Sequence, residues 1–146
     1  MSQAHSISRV RVRYAETDTM GVAYHANYLV WCEIGRTDLI RTLGFSYAEM
    51  EQEGLRLAVA EATLRYSAPA RYDDELIVET RLERVQSRFV TFTYRIVLEN
   101  PAGPGQPGTL LATATTVLVS IDNDGRTRVM PEHVRETFDR VTAGRT

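Results

Sequence analysis

The chain has 146 residues, 43% hydrophobic and 25% charged, enough for one domain with a real core and too few for two ordinary ones. No window reaches the unbroken apolar run of a membrane span, and the N-terminal run MSQAHSISRV lacks the apolar centre of a secretory signal. All 17 basic residues are arginine against 19 acids, a net charge of −2, which excludes lysine Schiff-base chemistry and argues against a general nucleic-acid binder. The lone Cys32 has no intramolecular disulfide partner, so a reducing cytoplasm is the expected compartment.

From Arg9 to Tyr14 the residues alternate, with Val10, Val12 and Tyr14 on one side and Arg9, Arg11 and Arg13 on the other, which predicts a half-exposed strand. In the run that follows, Asp18 falls in a segment too polar for a strand, Gly21 permits a sharp turn, and His25 and Asn27 stand where a helix should begin. Residues Asn27 to Leu43 read as that helix, with Tyr28, Trp31, Cys32, Gly35, Leu39 and Leu43 on one stripe. Leu29, Val30 and Ile34 lie off the stripe, so the helix is expected to be enclosed. Gly35 costs about 1 kcal/mol of helix propensity relative to alanine, which points to a close approach by a neighbouring element. Gly44 supplies the stop.

A short polar stretch from Tyr47 to Gly54 leads into four strands, at about Leu57 to Tyr66, Glu75 to Val85, Phe89 to Glu99 and Thr109 to Ile121. Alternation such as Phe92, Tyr94, Ile96 and Leu98 against Thr91, Thr93 and Arg95 favours antiparallel pairing with one wetter face. Pro101 to Gly108 reads as a variable hairpin loop and Asp122 to Gly125 as a turn, and Pro131 opens a short helix ending near Arg140. Strand, long helix and four consecutive strands predict an α+β fold, a single domain over 1–146 in which one antiparallel sheet curls around one helix.

Asp18 would deliver a carboxylate to the open N-terminus of that helix, where unpaired N–H groups gather, an arrangement suited to attacking a carbonyl. An Asx turn or a cap would use the same residue. His25 by itself fits a hydrogen-bonded structural histidine as well as a titrating group, but Gly21 folds the chain back and would bring the pair to one helix end. Glu33 and Arg36, three apart, read most simply as an ion pair. Glu33 and Glu61 are rival carboxylates. His5, His25, His133 and Cys32 form no ligand-spaced cluster, so no metal is expected.

The run YAETDTMGVAYHANYLVWCEIGR, with Asp18, Gly21, His25, Asn27, Tyr28, Glu33 and Arg36 in order, resembles the signature of hotdog-fold acyl-CoA thioesterases of the YbgC and 4-hydroxybenzoyl-CoA thioesterase type. The segment YSAPARYDDEL, Tyr66 to Leu76, is similar to the family's second-strand hairpin, and the likeness spans roughly residues 8 to 121. The resemblance implies that Asp18 is the catalytic carboxylate, as nucleophile or as general base for water. It implies a backbone N–H near His25 that polarises the thioester carbonyl, an effect of about 3 kcal/mol. The His25 side chain would orient water or assist the departing thiol. Tyr14, Tyr24 and Asn27 are candidate pocket-lining groups, although a strand-end tyrosine and a capping asparagine look the same. Arg84 and Arg88, flanking the hairpin Val85 to Ser87, would border the pocket mouth and receive coenzyme A phosphates.

The same resemblance implies an acyl-CoA substrate, or an acyl carrier protein thioester, hydrolysed without cofactor in a homodimer or homotetramer whose sites lie between subunits. Two other functions share the fold: an acyl-thioester hydratase or dehydratase using an acid and His25, and a non-catalytic acyl-thioester binding module.

Overall fold

The computed structural model describes residues 5–45, 47–99 and 108–142. Strand β1 covers His5–Arg11 and stops earlier than its alternation suggests. Its ladder partner begins opposite Arg11, at Glu75, so the chain beyond has no strand to pair with. Tyr14–Glu16 instead closes a 3-10 turn, and Tyr14 is left 78% exposed. The Asp18 turn follows, and then α1 over Asn27–Thr42. Gly44, with φ +100°, donates its N–H to the Arg41 carbonyl and ends the helix as its position predicts.

The polar stretch after α1 holds a short helix, α2, over Tyr47–Gln52, anchored by buried Met50. Strands β2 (Arg56–Tyr66), β3 (Glu75–Val85), β4 (Phe89–Leu98) and β5 (Leu110–Ile121) lie within a residue or two of their expected limits. The Asp122 to Gly125 turn is present, with Gly125 at φ +82°. Helix α3 spans Glu132–Thr142 and packs Phe138 edge-on against Phe45. Of the loop expected over Pro101 to Gly108, all but Gly108 lies outside the described residues.

The sheet order is β1-β3-β4-β5-β2, antiparallel throughout, so β1 and β2 occupy opposite edges. The segment joining them crosses the sheet, and α1 uses that crossing to pack on β1, β3 and part of β4. Val78, Leu82, Phe92, Ile96 and Leu118 rise from the sheet to meet Trp31, Cys32, Leu39 and Ile40 of the helix. This is the α+β hotdog arrangement expected from the order of elements.

Two expectations about α1 are corrected. Ile40 and Arg36 are buried where Leu43 was expected, Leu43 being only partly covered. More important, the chain does not enclose its helix: Leu29, Val30 and Ile34 are 39%, 45% and 38% exposed. The sheet covers one side of α1, and among the described residues these three side chains remain open to solvent.

Gly35 faces the sheet, where an added Cβ would collide with Thr80 Oγ1 and stand 3.0 Å from Val78 Cγ1. Both neighbours are fully buried, so neither yields easily. Gly35→Ala is therefore expected to lose about 1–3 kcal/mol by overpacking, despite alanine's better helix propensity. Denaturant unfolding of Gly35→Ala and of Gly35→Ala/Thr80→Ala tests the cause. If the strain is with Thr80, the second substitution recovers part of the loss.

Candidate active site

The segment between β1 and α1 is fixed by its own backbone. Asp18 donates its N–H to Val22, and Gly21, at φ +79°, donates back to the Asp18 carbonyl. The Asp18 carboxylate accepts the Met20 N–H at 2.8 Å, so the Asx-turn geometry is present. Ala23 then bonds to the Ala70 carbonyl, which draws the loop alongside the segment leaving β2.

Between these two segments lies a cleft of about 300 Å³. Ala23, His25 and Tyr28 form one wall, and Tyr66, Ser67, Ala68 and Pro69 form the other. Tyr66 donates its hydroxyl to the His25 carbonyl at 3.0 Å and packs edge-on against Tyr28. The Tyr28 hydroxyl accepts the Ala70 N–H. The cleft is thus walled by rings whose polar tips are already used to hold its shape.

Helix α1 begins with a tight turn in which Asn27, Tyr28 and Leu29 donate to the carbonyls of Tyr24, His25 and Ala26. That pairing moves the unsatisfied donors of the helix start one step back along the chain. Among the described residues, the N–H groups of His25 and Ala26 have no hydrogen-bond acceptor, and both residues are exposed. His25 therefore lines the cleft and carries an unpaired backbone N–H.

The other candidates divide. The Tyr24 ring lies against that of His25, tilted by 49° with centroids 4.4 Å apart. Asn27 neither caps the helix nor lines the cleft: its amide donates to the Glu16 carbonyl at 2.8 Å, and the cap position is Ala26. Tyr14 packs edge-on against Tyr72 and is also absent from the cleft walls. Asp18 sits on the adjoining turn rather than in the cleft wall. Glu33 is exposed while Arg36 is buried and hydrogen-bonded to Tyr94, so the two stand in different surroundings. Glu61 is exposed on β2, just past a register shift after Val59.

Arg84 and Arg88 do not border this cleft. Tyr66 pairs with Ala112, whereas Phe89, next to Arg88, pairs with Val119 at the other end of β5. Seven residues of strand at about 3.3 Å each put the hairpin about 23 Å from the cleft of its own chain.

The residue missed in the sequence is Glu16. It is 6% exposed, and its carboxylate accepts the Arg13 N–H at 2.8 Å and the Trp31 indole N–H at 3.3 Å. Its carbonyl accepts the Tyr24 N–H as well as the Asn27 amide.

Cys32 is fully buried, and burial pushes its thiol up to about 12 against the opposing pull of the Arg36 guanidinium. The folded state therefore keeps a proton that the unfolded chain releases at the ordinary thiol value, so this group's contribution to stability falls as pH rises from about 9 towards 12. The native thiol should be inert to a disulfide reagent at about pH 8 and titrate fully once the chain is unfolded. Rapid labelling of the native protein would contradict this.

The Thioesterase-like superfamily profile matches residues 12–138, most of the chain. This chain belongs to that superfamily. YneP of Bacillus subtilis is 40% identical over 119 residues, covering 82% of this chain and 81% of the relative. The acyl-CoA thioester hydrolase YbgC of Escherichia coli is 34% identical over 130 residues, covering 88% and 92%. Among solved structures, the DHNA-CoA thioesterase of Staphylococcus aureus superposes with a TM-score of 0.87 at 33% identity, covering 95% of this chain and 91% of that one. The chain is accordingly a thioester hydrolase of hotdog fold.

Proposed function

We propose that this enzyme hydrolyses a small acyl thioester of coenzyme A to the free acid and the thiol, with Asp18 as its catalytic carboxylate. The observation that carries this reading is the pair of unpaired N–H groups at His25 and Ala26, next to a ring-walled cleft and a carboxylate-bearing turn. A thioester carbonyl at the cleft mouth would direct its oxygen to the His25 N–H, and the donor would strengthen as negative charge develops there, by about 3 kcal/mol.

Two balanced routes follow. As a general base, Asp18 takes a proton from water, hydroxide adds to the carbonyl carbon, the C–S bond breaks, and the proton is passed to the departing thiolate. As a nucleophile, Asp18 attacks the carbon itself, the thiolate leaves, and water cleaves the resulting mixed anhydride. The His25 side chain, on the cleft wall, would orient the water or protonate the thiolate. Neither route requires a cofactor.

The cleft volume suits a short or single-ring acyl group, and Tyr66, the exposed ring of its wall, would pack against it. A single-ring aryl thioester thus stands beside short aliphatic esters in the panel to be tested, with a naphthoyl thioester, the kind in the name of the Staphylococcus aureus relative, as its larger member. Coenzyme A and acyl carrier protein present the same pantetheine thiol, so either carrier satisfies the chemistry at the cleft.

The open side of α1 and the uncovered edge strand β2 favour a homodimer. Arg84 and Arg88 would then serve a cleft only from the second copy. The reducing cytoplasm remains the proposed compartment.

The test is thiol release from a panel of short aliphatic and aromatic acyl-CoA esters. Free thiol with stoichiometric acid is expected. A hydrated acyl-CoA without thiol release would replace hydrolysis with the hydratase reading, and binding without turnover would leave a binding module.

A further inference from the structure

We infer that Glu16 is the positioning residue that sets Asp18 against the N–H donors at the start of α1. The inference rests on the hydrolytic reading above and concerns a residue that takes no part in its chemistry. Asp18 is two residues beyond Glu16 in the chain, and His25 is one beyond Tyr24, which Glu16 holds through its carbonyl. Asn27, the first residue of α1, donates to that same carbonyl. The Glu16 carboxylate reaches further, to the indole N–H of Trp31, a fully buried residue one turn inside the helix.

One residue therefore clamps both ends of the Asp18 loop to the body of the helix. Its ion pair with Arg13 is a small part of this, because the Arg13 side chain is 73% exposed and separated from the carboxylate by 3.5 Å. The decisive contacts are those with the Arg13 backbone N–H and the Trp31 indole, both of which need an acceptor on Glu16.

Glu16→Gln keeps the volume but turns one acceptor into a donor, so whichever way the amide lies, it faces either the indole N–H or the Arg13 N–H with a like group. Loosened positioning lowers kcat while substrate affinity is retained, because the cleft walls are untouched. At a temperature where circular dichroism shows the variant fully folded, kcat should fall about tenfold or more and KM stay within about twofold. Trp31 is the sole tryptophan of the chain, so the emission of the native variant reports directly on the altered bond and should shift.

A folded Glu16→Gln enzyme with wild-type kcat overturns the inference, as does a loss that only tracks the folded fraction. Should that variant not fold, Trp31→Phe removes a single donor and keeps a ring in place. Its kcat should drop about threefold at constant KM, and an unchanged kcat there also overturns the inference. A wild-type protein inert towards every thioester would overturn both readings, whereas an active wild type with an indifferent Glu16→Gln overturns this one alone.

Discussion

Asp18→Asn is expected to lower thioester turnover by about 10²–10⁴-fold while leaving the fold intact. The substitution is informative because it separates the two things Asp18 does. Its carboxylate accepts the Met20 N–H, and an asparagine carbonyl accepts the same bond. The other contacts of the turn, from Asp18 N–H to Val22 and from Gly21 N–H to the Asp18 carbonyl, belong to the backbone. Stability should therefore move by no more than about 0.5 kcal/mol. What asparagine lacks is negative charge, and without it the side chain neither attacks a carbonyl nor takes a proton from water. Asp18→Ala also loses the turn bond and should show both a rate defect and a lower melting temperature. Thiol release measured beside thermal unfolding distinguishes the two variants. Undiminished turnover by folded Asp18→Asn would remove Asp18 from the mechanism. After a single turnover in ¹⁸O-labelled water on wild-type enzyme, label in the protein carboxylate marks direct attack with water cleaving the anhydride at the Asp18 carbon. Label in the product acid alone fits the general-base route and anhydride cleavage at the acyl carbon equally.

The parts of this architecture that a sequence displays are those decided locally. Strands β3, β4 and β5 each alternate because one face lies on the core and the other does not, so Phe92, Tyr94 and Ile96 against Thr91, Thr93 and Arg95 state their own geometry. Gly44 and Gly125 were legible because positive φ selects glycine. Tyr14 was misplaced since alternation continues past Arg11 in the sequence, whereas the ladder that would use it does not. Helix α2 has six residues, too few for a periodic pattern, and is held by Met50 packing into the core.

The site follows the same division. His25, Tyr24 and Asp18 lie within eight consecutive residues, so their nearness was visible. Glu16 was not, because what distinguishes it from the polar residues around it is burial against Trp31, fifteen positions away. Arg84 and Arg88 were recognisable as hairpin residues, but which end of the sheet that hairpin occupies depends on strand order, a property of long-range pairing. The far wall of the cleft, Tyr66 to Pro69, likewise joins His25 only through the return of β2 to the sheet edge.

The helix read as enclosed leads to the second large effect, since the first turns of α1 are apolar nearly all round and the chain itself leaves part of that surface open. Val30 and Ile34 lie about 40° apart on the side of the helix away from Trp31, Cys32 and Leu39, and Leu29, at the border of the buried stripe, is also exposed. On β2, the edge strand across the sheet from the strands that α1 packs on, Val59 and Tyr66 are also exposed. Exposed apolar side chains on α1 and an unpaired strand edge are what a second copy of the chain would cover. Ile34→Glu is then expected to leave the single chain almost as stable as before, within about 0.5 kcal/mol, because the position is open to water there. In a dimer the same carboxylate would be stripped of water without a partner, so association should weaken by several orders of magnitude, a desolvation cost of about 3–5 kcal/mol or more. Sedimentation should show wild type as a dimer and the variant as a monomer at equal concentration. Turnover should fall with it, because Leu29 and Val30 lie in the first turn of α1, next to the His25 and Ala26 donors. A wild-type protein that sediments as a monomer with full activity would sink this prediction, and so would an Ile34→Glu monomer that turns over as fast as the parent.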